Sequence, residues 1–221
     1  MKRHFDDELR KLKEKLYRMG LLAEKAVAEA TSALFERDSE KARKVIEGDS
    51  EINLSEIEID ELGHELIALF QPAAVDLRFI TMVLKANTDL ERIGDQAVNI
   101  AEEALLVNQE PPLKPYQDLP KMTEAVRNMV HRALTAFMER DADLAKQVLE
   151  SDDTVDEYNA AIYDAVQKIL KEKPDLIRIG IGLIMVSHNL ERVADLATNI
   201  AEDVIYLQRG IDVRHHIRER R

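Results

Sequence analysis

The stretch LERIGDQAVNIAEE, residues 90–103, occurs a second time as LERVADLATNIAED at residues 190–203. Nine of the 14 positions are identical, and three of the other five hold conservative pairs. An internal repeat of this kind indicates that one structural unit is used twice. The duplicated residues include a Glu and an Asp four positions apart, which are Glu91 with Asp95 and Glu191 with Asp195.

The similarity between the two halves continues on both sides of this stretch. Residues 36–38 and 42–47 have counterparts 103 positions later, at 139–141 and 145–150. The offset becomes 100 by Arg78 and its counterpart Arg178. The duplication therefore covers most of each half, with small changes of length at the connections.

The composition is typical of long helices. Of 221 residues only 7 are Gly and 6 are Pro, whereas 45% are hydrophobic and 33% are charged. Apolar residues recur at three- and four-residue steps, which predicts helices over about 6–36, 39–70 and 74–104. Asp38 or Ser39 is expected to cap the second of these helices, because either side chain can accept a hydrogen bond from a free backbone N–H.

The prolines divide this helical pattern, because proline inside a helix costs about 3 kcal/mol. A proline-rich stretch at 108–120 separates the halves, and Pro72 and Pro174 break each half once more. We expect an all-α fold of two tandem three-helix bundles, residues 1–108 and 109–221, with helices of roughly 30 residues, about 45 Å long. A single six-helix body of solenoid type is the alternative.

The charge and the termini limit the function. A net charge of −12 and a pI near 5.0 argue against nucleic acid as a partner and fit a protein that collects cations. There is no Cys, so thiolate metal sites and disulfides are excluded. No run approaches the roughly 18 apolar residues of a membrane span, and the N-terminus does not resemble a secretory signal. We expect no membrane insertion and a cytoplasmic location.

The duplicated acidic pair predicts a cation site. On a helix, Glu91 and Asp95 lie about 40° apart, so their carboxylates share one stripe. Two carboxylates at this spacing repel each other by a few tenths of a kcal/mol unless a positive charge lies between them. A repeated pair of this kind favours a bound metal ion.

The helix before each proline turn should contribute further ligands to each site. Residues equidistant from the turn between two antiparallel helices lie at the same height, so they can be paired by their distance from the turn. Around Pro72, Asp49 pairs with Asp95 and Asn53 with Glu91, within one residue. Around Pro174, the pairs are Asp152 with Asp195 and Asp156 with Glu191. The predicted ligands of Fe, Zn, Mn, Ca or Mg are therefore Asp49, Asn53, Glu91 and Asp95 in one bundle and Asp152, Asp156, Glu191 and Asp195 in the other.

Other interpretations remain open for these residues. Acidic side chains often coat long helices, and Asp49 or Asp152 could cap a helix start. A diiron enzyme usually shows Glu-x-x-His on two helices, whereas Glu61 and His64 form this pattern once. His188 lies three residues before Glu191 but is Thr88 in the first half, which indicates an incidental residue. The basic end, residues 209–221, is interpreted as a solvated tail, with contact to a phosphate-rich partner as the alternative.

The segments QPAAVDLR at 71–78 and DLERIGD at 89–95, each with a degenerate second copy, closely resemble the PhoU family of phosphate-uptake regulators. The resemblance implies two three-helix bundles, a cytoplasmic location and frequent homodimers. It also implies a non-enzymatic negative regulator of phosphate uptake and of the phosphate-starvation response. The implied partners are the ATP-driven phosphate transporter and the sensor histidine kinase.

Some members of that family bind iron or zinc through Glu/Asp-x-x-x-Asp motifs. Three of the pairs here match that motif, whereas Asn53 departs from it. The second bundle, with four carboxylates, is therefore expected to hold metal more firmly. A metal-dependent enzyme or a metal-storage bundle is the alternative function, and the sequence leaves open whether phosphate binds directly.

Overall fold

The computed structural model describes residues 2–111 and 118–210, and within them it contains six α-helices and no strand. The prediction of an all-α fold built from two three-helix units is confirmed. A short 3₁₀ turn at Pro174–Leu176 precedes the last helix. The helices are α1 (Lys2–Phe35), α2 (Ser39–Phe70), α3 (Ala74–Val107), α4 (Leu119–Glu139), α5 (Ala142–Glu172) and α6 (Ile177–Arg209).

The first connection of each half is built in the same way. Arg37 and Arg140 both adopt a left-handed backbone, with φ of 55° and 57°. The next residue then caps the following helix: the Asp38 carboxylate accepts from the Lys41 N–H, and Asp141 accepts from the N–H groups of Asp143 and Leu144. Of the two caps predicted for α2, the structure therefore selects Asp38.

One expectation about helix length is wrong. The helix α4 has 21 residues, whereas its counterpart α1 has 34. The prolines that precede α4 cannot donate the hydrogen bonds of a helix, so the helix begins only at Leu119. Pro120 lies in the first turn of α4, where a missing N–H costs nothing. It therefore opens a helix rather than ending one.

The central pair of helices is α3 and α6, which carry the repeated stretch. Each packs against both other helices of its own half, and the two also pack against each other. Their apolar stripes are buried, and all described core residues form one continuous cluster. The two halves therefore share a single hydrophobic core. The buried repeat positions are Leu90, Ile93, Ala97 and Ile100 with their counterparts Leu190, Val193, Ala197 and Ile200.

None of the helices in the described residues is both long enough and apolar enough to span a membrane. Residues 211–221, which hold most of the basic tail, lie outside the described part of the chain. The interpretation of that tail therefore stays a prediction.

Candidate metal centres on two acidic faces

The helices α2 and α3 bring the first predicted set of ligands together. We call Asp49, Asn53, Glu91 and Asp95 the first acidic face. Asp49 lies directly against α3, because a Cβ atom built on Gly94 would be 3.3 Å from its Oδ1 atom and 3.0 Å from Ile52 Cδ1. The absence of a side chain at Gly94 thus lets the two helices approach at the level of Asp95.

The carboxylates of the first acidic face interact electrostatically across the two helices. Burial and then the charge of Asp95 raise the pKa of Asp49, while a hydrogen bond donated by Asn53 Nδ2 at 2.7 Å opposes that rise. The pKa of Glu91 is raised by burial and by the neighbouring Asp95, Glu56 and Asp49. The pairing of Asp49 with Asp95 predicted by counting from Pro72 therefore agrees with the structure.

The sequence analysis missed Glu56, which borders the first acidic face. Its pKa is raised by burial, by Asp60 and by Asp95. Glu56 lies three residues after Asn53, so it shares the same stripe of α2. The helical period places it there, because residues three apart share a face as residues four apart do. Asp60 is already engaged, because it accepts a hydrogen bond from Asn87 Nδ2 at 2.9 Å.

The helices α5 and α6 bring together the second set, Asp152, Asp156, Glu191 and Asp195, which we call the second acidic face. Burial, followed by the charges of Asp156 and Asp195, raises the pKa of Asp152 to about 6. The pKa values of Asp156 and Asp195 are also raised, in each case by desolvation and then by Glu191. All four predicted carboxylates thus lie within one another's electrostatic field.

His188 touches the second acidic face. Its Nδ1 atom lies 2.9 Å from Glu191 Oε2, and its charge lowers the pKa of Asp195. The counterpart Thr88 instead donates a hydrogen bond to the Leu84 carbonyl within its own helix. His188 therefore orients a carboxylate in one half only.

The alternative that Asp49 or Asp152 caps a helix is excluded by position. Each is the eleventh residue of its helix, far from the free N–H groups of the first turn. Glu61 and His64 both lie on exposed positions of α2, with no second Glu-x-x-His copy in the sequence. The structure therefore adds nothing in favour of a diiron enzyme.

Two side-chain oxygen atoms of the first acidic face lack a hydrogen-bond partner. Asp49 Oδ1 and Asn53 Oδ1 are buried and have no hydrogen-bond partner among the described residues. Buried oxygen atoms of this kind normally have a donor or a cation beside them. As the side chains stand, no three Asp, Glu or His residues of the described chain converge tightly enough to enclose a metal ion. The predicted ligand sets therefore stay predictions.

Comparison with known proteins agrees with the resemblance seen in the sequence. The family model named PhoU domain matches this chain twice, over residues 16–104 and 119–204. The chain belongs to the PhoU family. Within that family, it is 43% identical to the phosphate-specific transport system accessory protein PhoU homolog of Aquifex aeolicus, over 96% of this chain and 97% of that protein. A homolog of the same name from Pseudomonas aeruginosa is 42% identical, over 96% and 88%.

Solved PhoU structures have the same fold. The crystal structure of PhoU from Pseudomonas aeruginosa superposes with a TM-score of 0.91 at 40% identity, covering 94% of this chain and all of that one. The phosphate transport system regulatory protein PhoU from Streptococcus pneumoniae gives a TM-score of 0.89 at 30% identity, covering 95% and 99%. The family expectation for the fold is therefore confirmed along nearly the whole chain.

Proposed function

We propose that this protein is a non-enzymatic regulator of phosphate uptake and of the phosphate-starvation response. It acts negatively, through contacts with the ATP-driven phosphate transporter and with the sensor histidine kinase. The observation that supports this most is similarity over 96% of the chain to a protein named as an accessory of phosphate-specific transport. Long rigid helices with exposed charged faces suit a protein that works by contact.

The two acidic faces are proposed as metal sites that belong to this regulator. Iron or zinc is the expected metal, and Mg, Mn or Ca can use the same oxygen ligands. A bound cation would neutralise carboxylates that otherwise repel one another, and would thereby link α2 to α3 and α5 to α6. The orphaned oxygen atoms of Asp49 and Asn53 support this on the first face, and on the second face burial and then the neighbouring carboxylates raise the pKa of Asp152.

A cytoplasmic homodimer is the proposed state of the protein. The N-terminal half of α6 exposes an apolar stripe at four-residue spacing, with Ile177, Ile181 and Met185 at 58%, 54% and 40% exposure. Exposed apolar stripes of this kind mark interaction surfaces. A second copy of the chain or a regulatory partner would cover this one.

Co-purification tests the regulatory role directly. The tagged protein is recovered from phosphate-replete cells after mild crosslinking, and recovered partners are identified by mass spectrometry. We expect the phosphate transporter and the sensor kinase, with lower recovery from phosphate-starved cells. Recovery of neither partner under either condition would contradict the proposal.

The alternative, a metal-dependent enzyme or metal store, has its own test. The metal-loaded protein is assayed for hydrolysis of phosphate esters, for oxygen consumption and for metal content per chain. The regulator is expected to show no turnover and only a few metal ions per chain. Turnover that disappears in Asp95→Ala and Asp195→Ala variants would overturn the regulatory proposal.

A further inference from the structure

A polar cavity lies between α3 and α6, the helices that join the two halves. Its volume is about 320 Å³, at the lower end of the range for small-molecule sites. Only Leu196 contributes an apolar side chain to its lining. The lining residues are Arg92, Arg192, Asp195, Leu196, Thr198 and Asn199.

The two arginines come from equivalent positions of the repeat, yet they line one cavity. Arg92 is only weakly neutralised, because its nearest carboxylate, Asp89, is 3.9 Å away. Within the described chain, Arg192 forms no ion pair shorter than 4.0 Å, although its charge lowers the pKa of Asp195. The two guanidinium groups repel each other, and the neighbouring Asp89 and Asp195 offset that repulsion only in part, because neither forms a close, paired contact with an arginine. An anion between the two arginines would remove the remaining repulsion.

The remaining polar groups of the cavity suit the oxygen atoms of an anion. The Thr198 hydroxyl donates to the Asp195 carbonyl at 2.7 Å, and a hydroxyl can rotate to donate to a ligand instead. The Asn199 side chain hydrogen bonds to Asp89, so that Asp89 has a second partner beside Arg92. Asp195 is the acidic group in the lining, and it limits affinity to a moderate value.

We propose that this cavity binds a tetrahedral oxyanion, a phosphate dianion that is either free or the terminal group of a nucleotide. The planar guanidinium fork donates two parallel hydrogen bonds to such an anion, which neither a chloride ion nor a single carboxylate oxygen can match. A chain with a net charge of −12 repels anions in general, so binding must come from a local site. The inference does not depend on the regulatory role, because binding is measured on the isolated protein.

The test is a titration of the purified full chain with inorganic phosphate, followed by calorimetry and by ³¹P NMR in the presence of a chelator. We expect saturable binding of one phosphate per chain in the millimolar range or tighter. Arg92→Gln and Arg192→Gln should each weaken binding by about tenfold, the usual effect of losing a charged hydrogen bond. Arg18→Gln removes the same charge from an exposed position on α1 and should leave the affinity unchanged.

Parallel titrations with ADP and with sulfate identify the source of the anion. Tighter binding of ADP with the same arginine dependence assigns the site to a nucleotide, whereas tighter binding of phosphate assigns it to the free ion. Circular dichroism checks the fold of each variant, and Arg192→Lys, which keeps the charge but loses the fork, should weaken binding severalfold. The proposal is wrong if no binding occurs up to about 10 mM, beyond the range of a weak site. Equal loss of affinity in Arg18→Gln would also overturn it.

Discussion

The two acidic faces carry the same charge pattern with one change in each. In α2 the stripe reads Asp49, Asn53 and Glu56, whereas the equivalent stripe of α5 reads Asp152, Asp156 and Asn159. The amide is the middle residue of the stripe in the first half, Asn53, and the last residue in the second half, Asn159. Each stripe therefore carries two carboxylates, and the second of them lies about one helical turn further along in the first half than in the second.

Hydrogen bonds show that the two changes are not equivalent. In the second half, Ser187 donates to Asn159 Oδ1 at 2.6 Å, so that amide oxygen is already bonded. In the first half, Asn87 is the counterpart of Ser187. It donates hydrogen bonds to the Asp60 side chain and to the Glu56 backbone carbonyl, but not to the Glu56 carboxylate. We therefore expect Glu56 to compensate in part for Asn53, so that the two proposed sites differ less in metal affinity than their four-residue motifs indicate.

Removal of one carboxylate from each face tests their independence and has the largest expected effect. Asp95→Asn should weaken metal binding on the first face by roughly 100-fold, because a charged ligand is lost. Asp195→Asn should do the same on the second face only. Metal content is measured by elemental analysis after dialysis. Loss of all metal in either single variant would show one shared site rather than two.

The Asn53→Asp variant makes the first face resemble the second. We expect metal affinity on the first face to rise about tenfold, since an added carboxylate strengthens attraction to a divalent cation. Competition with a fluorescent chelator measures the change, with Asp156→Asn as the reciprocal control. An unchanged affinity in Asn53→Asp would show that Glu56 already completes the first site.

The pH dependence of stability distinguishes the faces in the metal-free protein. Because the pKa of Asp152 is raised to about 6, the folded protein keeps a proton that the unfolded chain has released above about pH 4. Stability therefore falls as the pH rises through the window from about 4 to 6. Asp152→Asn should flatten this fall and stabilise the protein at pH 7 by about 1 kcal/mol, after allowance for solvent screening. Urea unfolding at pH 5 and pH 7 measures the change in the free energy of unfolding with pH. The same change in Asp152→Asn as in the parent protein would contradict this prediction.

Packing beside the two faces gives the smallest prediction. Gly94 of α3 faces Ile52 of α2, whereas the equivalent pair in the second half is Ala194 of α6 and Val155 of α5. The second half therefore has one carbon atom more on the third helix and one fewer on the second. Gly94→Ala should leave the stability close to that of the parent, because a gain of about 1 kcal/mol in helix propensity is offset by the contact of the new methyl group with Ile52 Cδ1 at 3.0 Å. In an Ile52→Val background, which lacks that Cδ1 atom, the same change should stabilise the fold by about 0.5–1 kcal/mol. A double-mutant cycle in urea checks the coupling, and simple additivity would contradict it.

Much of the fold could be predicted from the sequence because its signals are local. The period of apolar residues and the positions of Pro72 and Pro174 fix where helices begin and end, and counting from those turns pairs Asp49 with Asp95. The length of α4 did not follow from this pattern, because the proline-rich stretch at 108–120 marks a break without showing that its last proline, Pro120, lies in the first turn of the next helix.

The cavity between the halves could not be predicted in the same way. Arg92 and Arg192 line it together only because α3 packs against α6, and amphipathic patterns do not specify which helices of different bundles meet. The pairs of acidic residues within each hairpin were predictable because a short turn places the two helices side by side, with residues equidistant from the turn at one height.

Anomalous diffraction from crystals grown with zinc tests the central claim most directly, since it locates the metal without assuming its ligands. The duplicated acidic stretches are held to form two separate cation sites of one design. We predict zinc peaks beside Asp49 and Asp95 on the first acidic face and beside Asp152 and Asp195 on the second. Zinc bound only at histidine side chains elsewhere, with no peak on either face, would contradict this account.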